Sequence, residues 1–201
     1  MSTASDRLIE NELNECAEID ADTPQGAQLY LIRFNRQIER LIEEYDLQTV
    51  GEAIWDIYGC GADLGRGATD PSAASGFADF YESMEGLYAS FARHCSDHYG
   101  HSDKGGSFAT ACYMLWDMDS GLSYRTFNPE FVPPHIADKL LDFGLSHRHA
   151  AVQESFLHGL GHLHYQRPDF VIAKVSAFLL RKDLSPEIRA YAKQSQCGAV
   201  M

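Results

Sequence analysis

The sequence predicts an all-α fold: a single domain in which an irregular helical front, residues 1–130, leads into a superhelix-like stack of helical hairpins over residues 133–201. Three observations predict it. Apolar residues recur at spacings of three and four in most segments, and no segment alternates convincingly with period two. Prolines stand where helices would open, at Pro24, Pro134, Pro168 and Pro186. Finally, Leu140, Leu141, Leu145 and Ser146 return 39 residues later as Leu179, Leu180, Leu184 and Ser185, and Ala151 and Gly159 return as Ala190 and Gly198, a period that suits stacked helix pairs. At 201 residues and 45% hydrophobic, such a domain has room for a core without disulfide or metal staples.

Each element has its own justification. Ser5 or Asp6 caps a first amphipathic helix carrying Leu8, Leu13, Ala17 and Ile19, which Asp22, Thr23 and Pro24 end. Leu31, Phe34, Ile38, Leu41, Ile42 and Tyr45 then keep helical spacing in one helix over 25–45. A third, short helix is capped by Thr49. Five glycines and a proline over residues 59–76 predict a long loop; a gating role for it stays open, and the GK[ST] ending of a phosphate-binding loop is absent. Phe77, Phe80, Tyr81, Met84, Leu87, Tyr88 and Phe91 define an aromatic helix face suited to core packing. Residues 107–119 read as another buried helix, and 120–131 as a connector. Helices are expected over 134–144, 147–163, 168–181 and 185–197, the last capped by Ser185.

Composition restricts the partners. The net charge of −13 is unevenly placed: residues 1–130 hold 23 acids and 8 bases, net −15, whereas residues 131–201 hold 6 acids and 8 bases, net +2. An acidic field of this kind disfavours nucleic acid and anionic membrane, and suits either a solvated surface or a basic protein partner. Cys16, Cys60, Cys95, Cys112 and Cys197 are odd in number and form no CxxC pair, which fits reduced intracellular thiols. With no basic and apolar leader at the N-terminus and no apolar run near 18 residues, a cytoplasmic protein is expected.

The segments LSHRHAAVQESFLHGLGHL and LSPEIRAYAKQSQCGAV resemble HEAT-type repeats, the helical hairpins of α-solenoids, over roughly the last third of the chain. FLHGLGH and the ending RAYAKQSQCGAVM are also similar to a group of uncharacterised bacterial proteins. That similarity implies no activity.

Chemistry concentrates in residues 147–164, HRHAAVQESFLHGLGHLH. On a helix, Val152, Phe156, Leu160 and Leu163 form one apolar stripe, while Glu154, His158 and His162, each four residues apart, line up on another face with a drift of about 40° per step. Those three span about 12 Å of axial rise, so one ion would take His158 and His162 together with a distant residue. His164 points elsewhere unless the helix has already ended. Gly159 and Gly161 each cost roughly 1 kcal/mol in a helix interior, which predicts a neighbour packed against bare backbone. A second cluster, His94, Cys95, Asp97, His98, His101 and Asp103, has zinc-type ligands but no paired partner element, and reads equally as a polar helix end. Asp117 and Asp119 offer an acid and a base or a cation site, or simply a solvated helix end.

The leading functional expectation is a non-enzymatic interaction module binding a basic protein partner, for example an inhibitor or immunity-type protein, with no cofactor. The alternative is a metal-dependent hydrolase in which His158 and His162 hold zinc and a carboxylate such as Asp117 or Asp119 is the base; HGLGH lacks the glutamate that follows the first histidine in HExxH metalloproteases. A third reading is a small-molecule sensor whose groove is lined by Glu154, His158, His162 and His164.

Overall fold

A computed structural model describes residues 3–15, 19–60, 64–100, 106–118 and 122–200. Cys16, Ala17, His101, Asp103 and Asp119 lie outside the described residues. Among the described residues there are twelve α-helices: α1 Ala4–Glu15, α2 Pro24–Arg36, α3 Ile38–Glu44, α4 Leu47–Trp55, α5 Leu64–Ala68, α6 Phe77–His94, α7 Gly106–Met114, α8 Leu122–Thr126, α9 Pro134–Ser146, α10 Ala150–Leu163, α11 Pro168–Leu179 and α12 Pro186–Gln196. Among the described residues there is no strand, and no helix is long and apolar enough to cross a membrane.

The front half departs from expectation where local signals compete. Thr3, not Ser5 or Asp6, caps α1: its hydroxyl accepts from the Asp6 amide at 3.0 Å while the Asp6 carboxylate accepts from the Thr3 amide at 2.7 Å, a reciprocal capping box. The helix expected over 25–45 is broken at Gln37, where φ is −99° and ψ 2°. After this turn Arg40 of α3 reaches back to the nearly buried Glu12 of α1 at 2.5 Å. Asp46 takes the cap expected of Thr49, its carboxylate accepting from the Thr49 amide at 2.7 Å. The glycine-rich stretch is partly helical, with a π turn over Asp56–Cys60, then α5, then a 3₁₀ turn over Pro71–Gly76 opened by Asp70. Gln28 of α2 donates to the Ala68 carbonyl at 2.9 Å and pins that stretch from below.

The aromatic face of α6 is core, as its spacing predicts: Phe77, Phe80, Tyr81, Met84, Leu87, Tyr88 and Phe91 are all buried. One continuous hydrophobic cluster runs from Leu8 to Ala192 and joins both halves into a single domain. Helix α2 packs on α5 and α6, and α4 on α1 and α7. The back half forms at the expected places, with Ser185 capping α12 through the Ile188 amide at 3.2 Å.

Helix α10 is the axis of the fold. It touches α6, α7, α8, α9, α11 and α12, and every residue from Ala151 to Gly161 is buried. The stripe at Val152, Phe156, Leu160 and Leu163 faces the core as expected; the face bearing Glu154 and His158 is buried as well. Both glycines carry the packing predicted for them. A Cβ on Gly159 would stand 2.6 Å from Trp116 Cβ, and one on Gly161 2.4 Å from Val200 Cγ2. The 39-residue offset does not carry equal environments: Leu141 is buried and Leu180 is 82% exposed, while Gly159 lies inside α10 and Gly198, at φ +72°, closes α12 in a Schellman turn with Ala199 N–H on the Gln194 carbonyl at 2.9 Å.

Candidate functional site

The burial of α10 obliges its polar side chains to find partners. Ser155 donates to the Cys112 carbonyl at 2.5 Å and meets the Tyr88 hydroxyl at 2.8 Å. Gln153 donates to the His147 carbonyl at 2.6 Å. Glu154 accepts from the Gly100 amide through both oxygens, at 3.1 and 3.2 Å. One helical turn earlier, Asp97 accepts from the Ala150 amide at 2.6 Å and supplies the α10 N-terminus with a carboxylate its own His149 does not provide. The polar segment after α6 is therefore a strap across the first two turns of α10, and Glu154 is engaged by that strap.

His158 is completely buried, and its two ring nitrogens differ. Nδ1 lies 2.8 Å from the Tyr191 hydroxyl of α12, which lies 2.9 Å from the Tyr113 hydroxyl of α7. The Tyr113 ring also stacks on the imidazole at 4.2 Å between centroids. Among the described residues Nε2 has no hydrogen-bond partner; it points to Asp117, whose Oδ2 is 4.0 Å away, too far for a hydrogen bond. His162, one turn on, has its ring 4.6 Å from that of His158 and its Nδ1 3.5 Å from Asp117 Oδ1. Together Asp117, His158 and His162 each offer one ligand atom, all within 4.8 Å of one another.

Local sequence explains the convergence. Histidines at i and i+4 share a helix face. Asp117 arrives from the turn that ends α7, where the Asp117 and Met118 amides both donate to the Met114 carbonyl, at 2.8 and 2.9 Å. Trp116 fixes that turn, because its side chain is buried against the bare backbone of Gly159 and between Phe127 and Phe156. The glycine thus brings the two ligand-bearing segments together.

Electrostatics favour a neutral ligand. Burial, and then the neighbouring His162, push the His158 pKa down to about 3, so its imidazole is uncharged at neutral pH and can coordinate an ion with no change in its own charge. Burial also raises the Tyr191 pKa far above the ordinary phenol value, with Tyr113 adding to the shift, so Tyr191 stays a neutral donor and acceptor. Zinc bonds of about 2.0 Å place tetrahedral ligand atoms roughly 3.3 Å apart, so the three residues have about 1.5 Å or less to close. Side chains of Asp117 and His162 remain 33% and 36% exposed, which leaves the mouth of the cluster open to water.

The other predicted residues do not converge there. His164 caps the C-terminus of α10, its ring against Tyr165 at 5.9 Å and its Nδ1 buried without a hydrogen bond. His94 pairs with Glu39 at 3.1 Å, its ring edge-on to Phe108. Cys95 caps the end of α6, and His98 lines a separate polar cleft of about 510 Å³ with Asp97, Tyr99 and Arg148. Asp117, expected as a base or a cation ligand, lies 4.0 Å from His158 Nε2 and 3.5 Å from His162 Nδ1. Tyr113 and Tyr191 carry no metal or catalytic motif, and nothing in their sequence neighbourhood marks them. Compared with known protein-family models, curated proteins and solved structures, the chain matches none.

Proposed function

We propose that the protein is a mononuclear metalloprotein in which Asp117, His158 and His162 hold one divalent ion of the zinc or ferrous type, and that hydrolysis at this centre is its activity. The observation that carries the reading is the fully buried, unpartnered Nε2 of His158 aimed at a carboxylate 4.0 Å away. A buried polar atom without a partner costs about 1–3 kcal/mol, and an ion between the two groups would remove that cost. Two histidines and one carboxylate are a ligand set of catalytic zinc and non-haem iron centres, and three protein ligands with an open position separate such centres from closed structural sites. An ion held by Asp117, His158 and His162 would supply Lewis acidity and a water nucleophile at neutral pH. The chain's contribution is to hold His158 neutral and to keep Asp117 and His162 at the solvent edge.

Elemental mass spectrometry on tag-free protein purified without chelator tests it. Near-stoichiometric zinc or iron is expected, falling below a tenth of that in His158→Ala/His162→Ala and in Asp117→Asn. Equal metal content in wild type and variants would sink the proposal.

A second reading, a protein-binding module, is favoured by a separate observation. The outer face of α11 and the residue that follows it expose Ile172, Ala173, Ala177 and Leu180, and the acidic front suits a basic partner. On that reading Ile172→Glu/Leu180→Glu abolishes co-purification of a partner that His158→Ala retains.

A further inference from the structure

His158 faces two kinds of neighbour at once. Its Nδ1 meets the Tyr191 hydroxyl at 2.8 Å, and that hydroxyl meets the Tyr113 hydroxyl at 2.9 Å. Its Nε2 faces the Asp117 carboxylate. A neutral imidazole has one N–H and one lone pair, and a phenol can both donate and accept. The chain His158, Tyr191, Tyr113 can therefore run in either direction without leaving Nδ1 unpaired. In one direction Tyr113 donates to Tyr191, Tyr191 donates to Nδ1, and the imidazole proton sits on Nε2 toward Asp117. In the other, Nδ1–H donates to Tyr191, Tyr191 donates to Tyr113, and Nε2 presents a lone pair. Coordination through Nε2 needs the second arrangement.

We propose that Tyr191, backed by Tyr113, is a positioning residue that reverses its hydrogen bond to His158, donating when the site holds no ion and accepting when it does. This rests on the metal reading above. No proton is gained or lost overall: the imidazole proton leaves Nε2 for water at the open mouth, Tyr191 passes its phenol proton to Nδ1, Tyr113 passes its own to Tyr191, and the partly exposed Tyr113 takes one proton back from water. Three helices share the device, Tyr113 on α7, His158 on α10 and Tyr191 on α12. The Tyr99 ring packs at a tilt against Tyr191, 5.4 Å between centroids, and with the burial of the Tyr191 ring fixes where the hydroxyl points. A phenylalanine at 191 keeps the ring and removes both the donor and the acceptor.

Two measurements test this. The first is nitrogen-resolved NMR of histidine-labelled wild type. The His158 proton is expected on Nε2 in chelator-treated protein and on Nδ1 after addition of zinc. The second is zinc affinity by competition with a chromophoric chelator. Tyr191→Phe is expected to bind zinc 10- to 100-fold more weakly, the usual loss when a metal-bound histidine loses its outer partner, and Tyr113→Phe to lose less. A Tyr191→Phe protein that binds zinc as tightly as wild type, or a wild-type His158 with the same tautomer in both states, overturns the relay and leaves the metal reading standing. A wild type that binds no zinc overturns both. Because the tautomer is read in wild type, poor folding of a variant does not rescue the proposal.

Discussion

Gly159 and Gly86 are both helical glycines, yet they predict opposite mutational effects. A methyl group at 159 would stand 2.6 Å from Trp116 Cβ, and Trp116 is buried and precedes Asp117. Gly159→Ala should therefore destabilise the protein by about 1–3 kcal/mol through overpacking and also weaken metal retention, since the turn carrying Asp117 must shift. Nothing lies within 4 Å of a Cβ at the exposed Gly86 of α6, so Gly86→Ala should stabilise by up to about 1 kcal/mol. Urea unfolding of both variants checks the pair; equal effects would contradict the packing argument. His158 adds a pH dependence in metal-free protein. The unfolded chain takes up a proton as pH falls through the ordinary value near 6.5, whereas folded His158, held at about 3, does not. Its contribution is complete above pH 6.5 and is lost as pH falls toward 3, at about 1.4 kcal/mol per unit well inside that window. His147, lowered by burial and by His149, acts in the same direction. Unfolding of chelator-treated protein at pH 7 and pH 5 should show a loss on acidification that His158→Gln reduces; an unchanged loss in that variant would argue against a neutral buried imidazole.

At the scale of elements, legibility depended on whether start, stop and period signals agreed. Helices α9, α11 and α12 each open on a proline, and α6 carries an unbroken aromatic period, so local chemistry and tertiary demand coincide. The break at Gln37 has no proline or glycine to announce it; glutamine is a good helix former, and only the turned position of α3 brings Arg40 to Glu12. At α4, Asp46 and Thr49 are both competent caps three residues apart, and sequence alone does not rank them. Burial of α10 on all sides was hidden because its polar residues suggested a solvent face. Their partners come from far away in the chain, Gly100 for Glu154 and Tyr191 for His158. The strap gives a prediction for this element. Asp97→Ala removes the carboxylate that accepts from the first amide of α10, at a cost of about 1 kcal/mol, and hydrogen exchange should quicken at Ala150 through Gln153 while the amides of α12 keep their protection. Uniform exchange along both helices would mean that Asp97 does not hold the α10 N-terminus.

Across the whole molecule, the candidate site depends on segments that are distant in sequence. Two of its three members are readable from helical spacing, His158 and His162; Asp117 is readable as a carboxylate base for that pair, whereas its distance from them is set by the Trp116–Gly159 contact, which is a tertiary fact. An ion held at Asp117, His158 and His162 would cross-link the end of α7 to the middle of α10, the helix against which much of the domain packs. Ligation should therefore raise global stability and not merely order a loop. Free zinc at a hundred times its dissociation constant contributes about 2.7 kcal/mol by mass action, which for a domain of this size corresponds to a rise of roughly 5–10 °C in unfolding midpoint. Zinc binding to histidines and thiols of the unfolded chain reduces the observed shift, so the comparison that matters is between proteins at one zinc concentration. Wild type should gain several degrees over its chelator-treated form, while Asp117→Asn and His162→Ala, altered at the half-exposed edge, should keep their metal-free midpoints and gain little. A rise of the same size in all three would assign the zinc to another part of the surface and remove the cross-link.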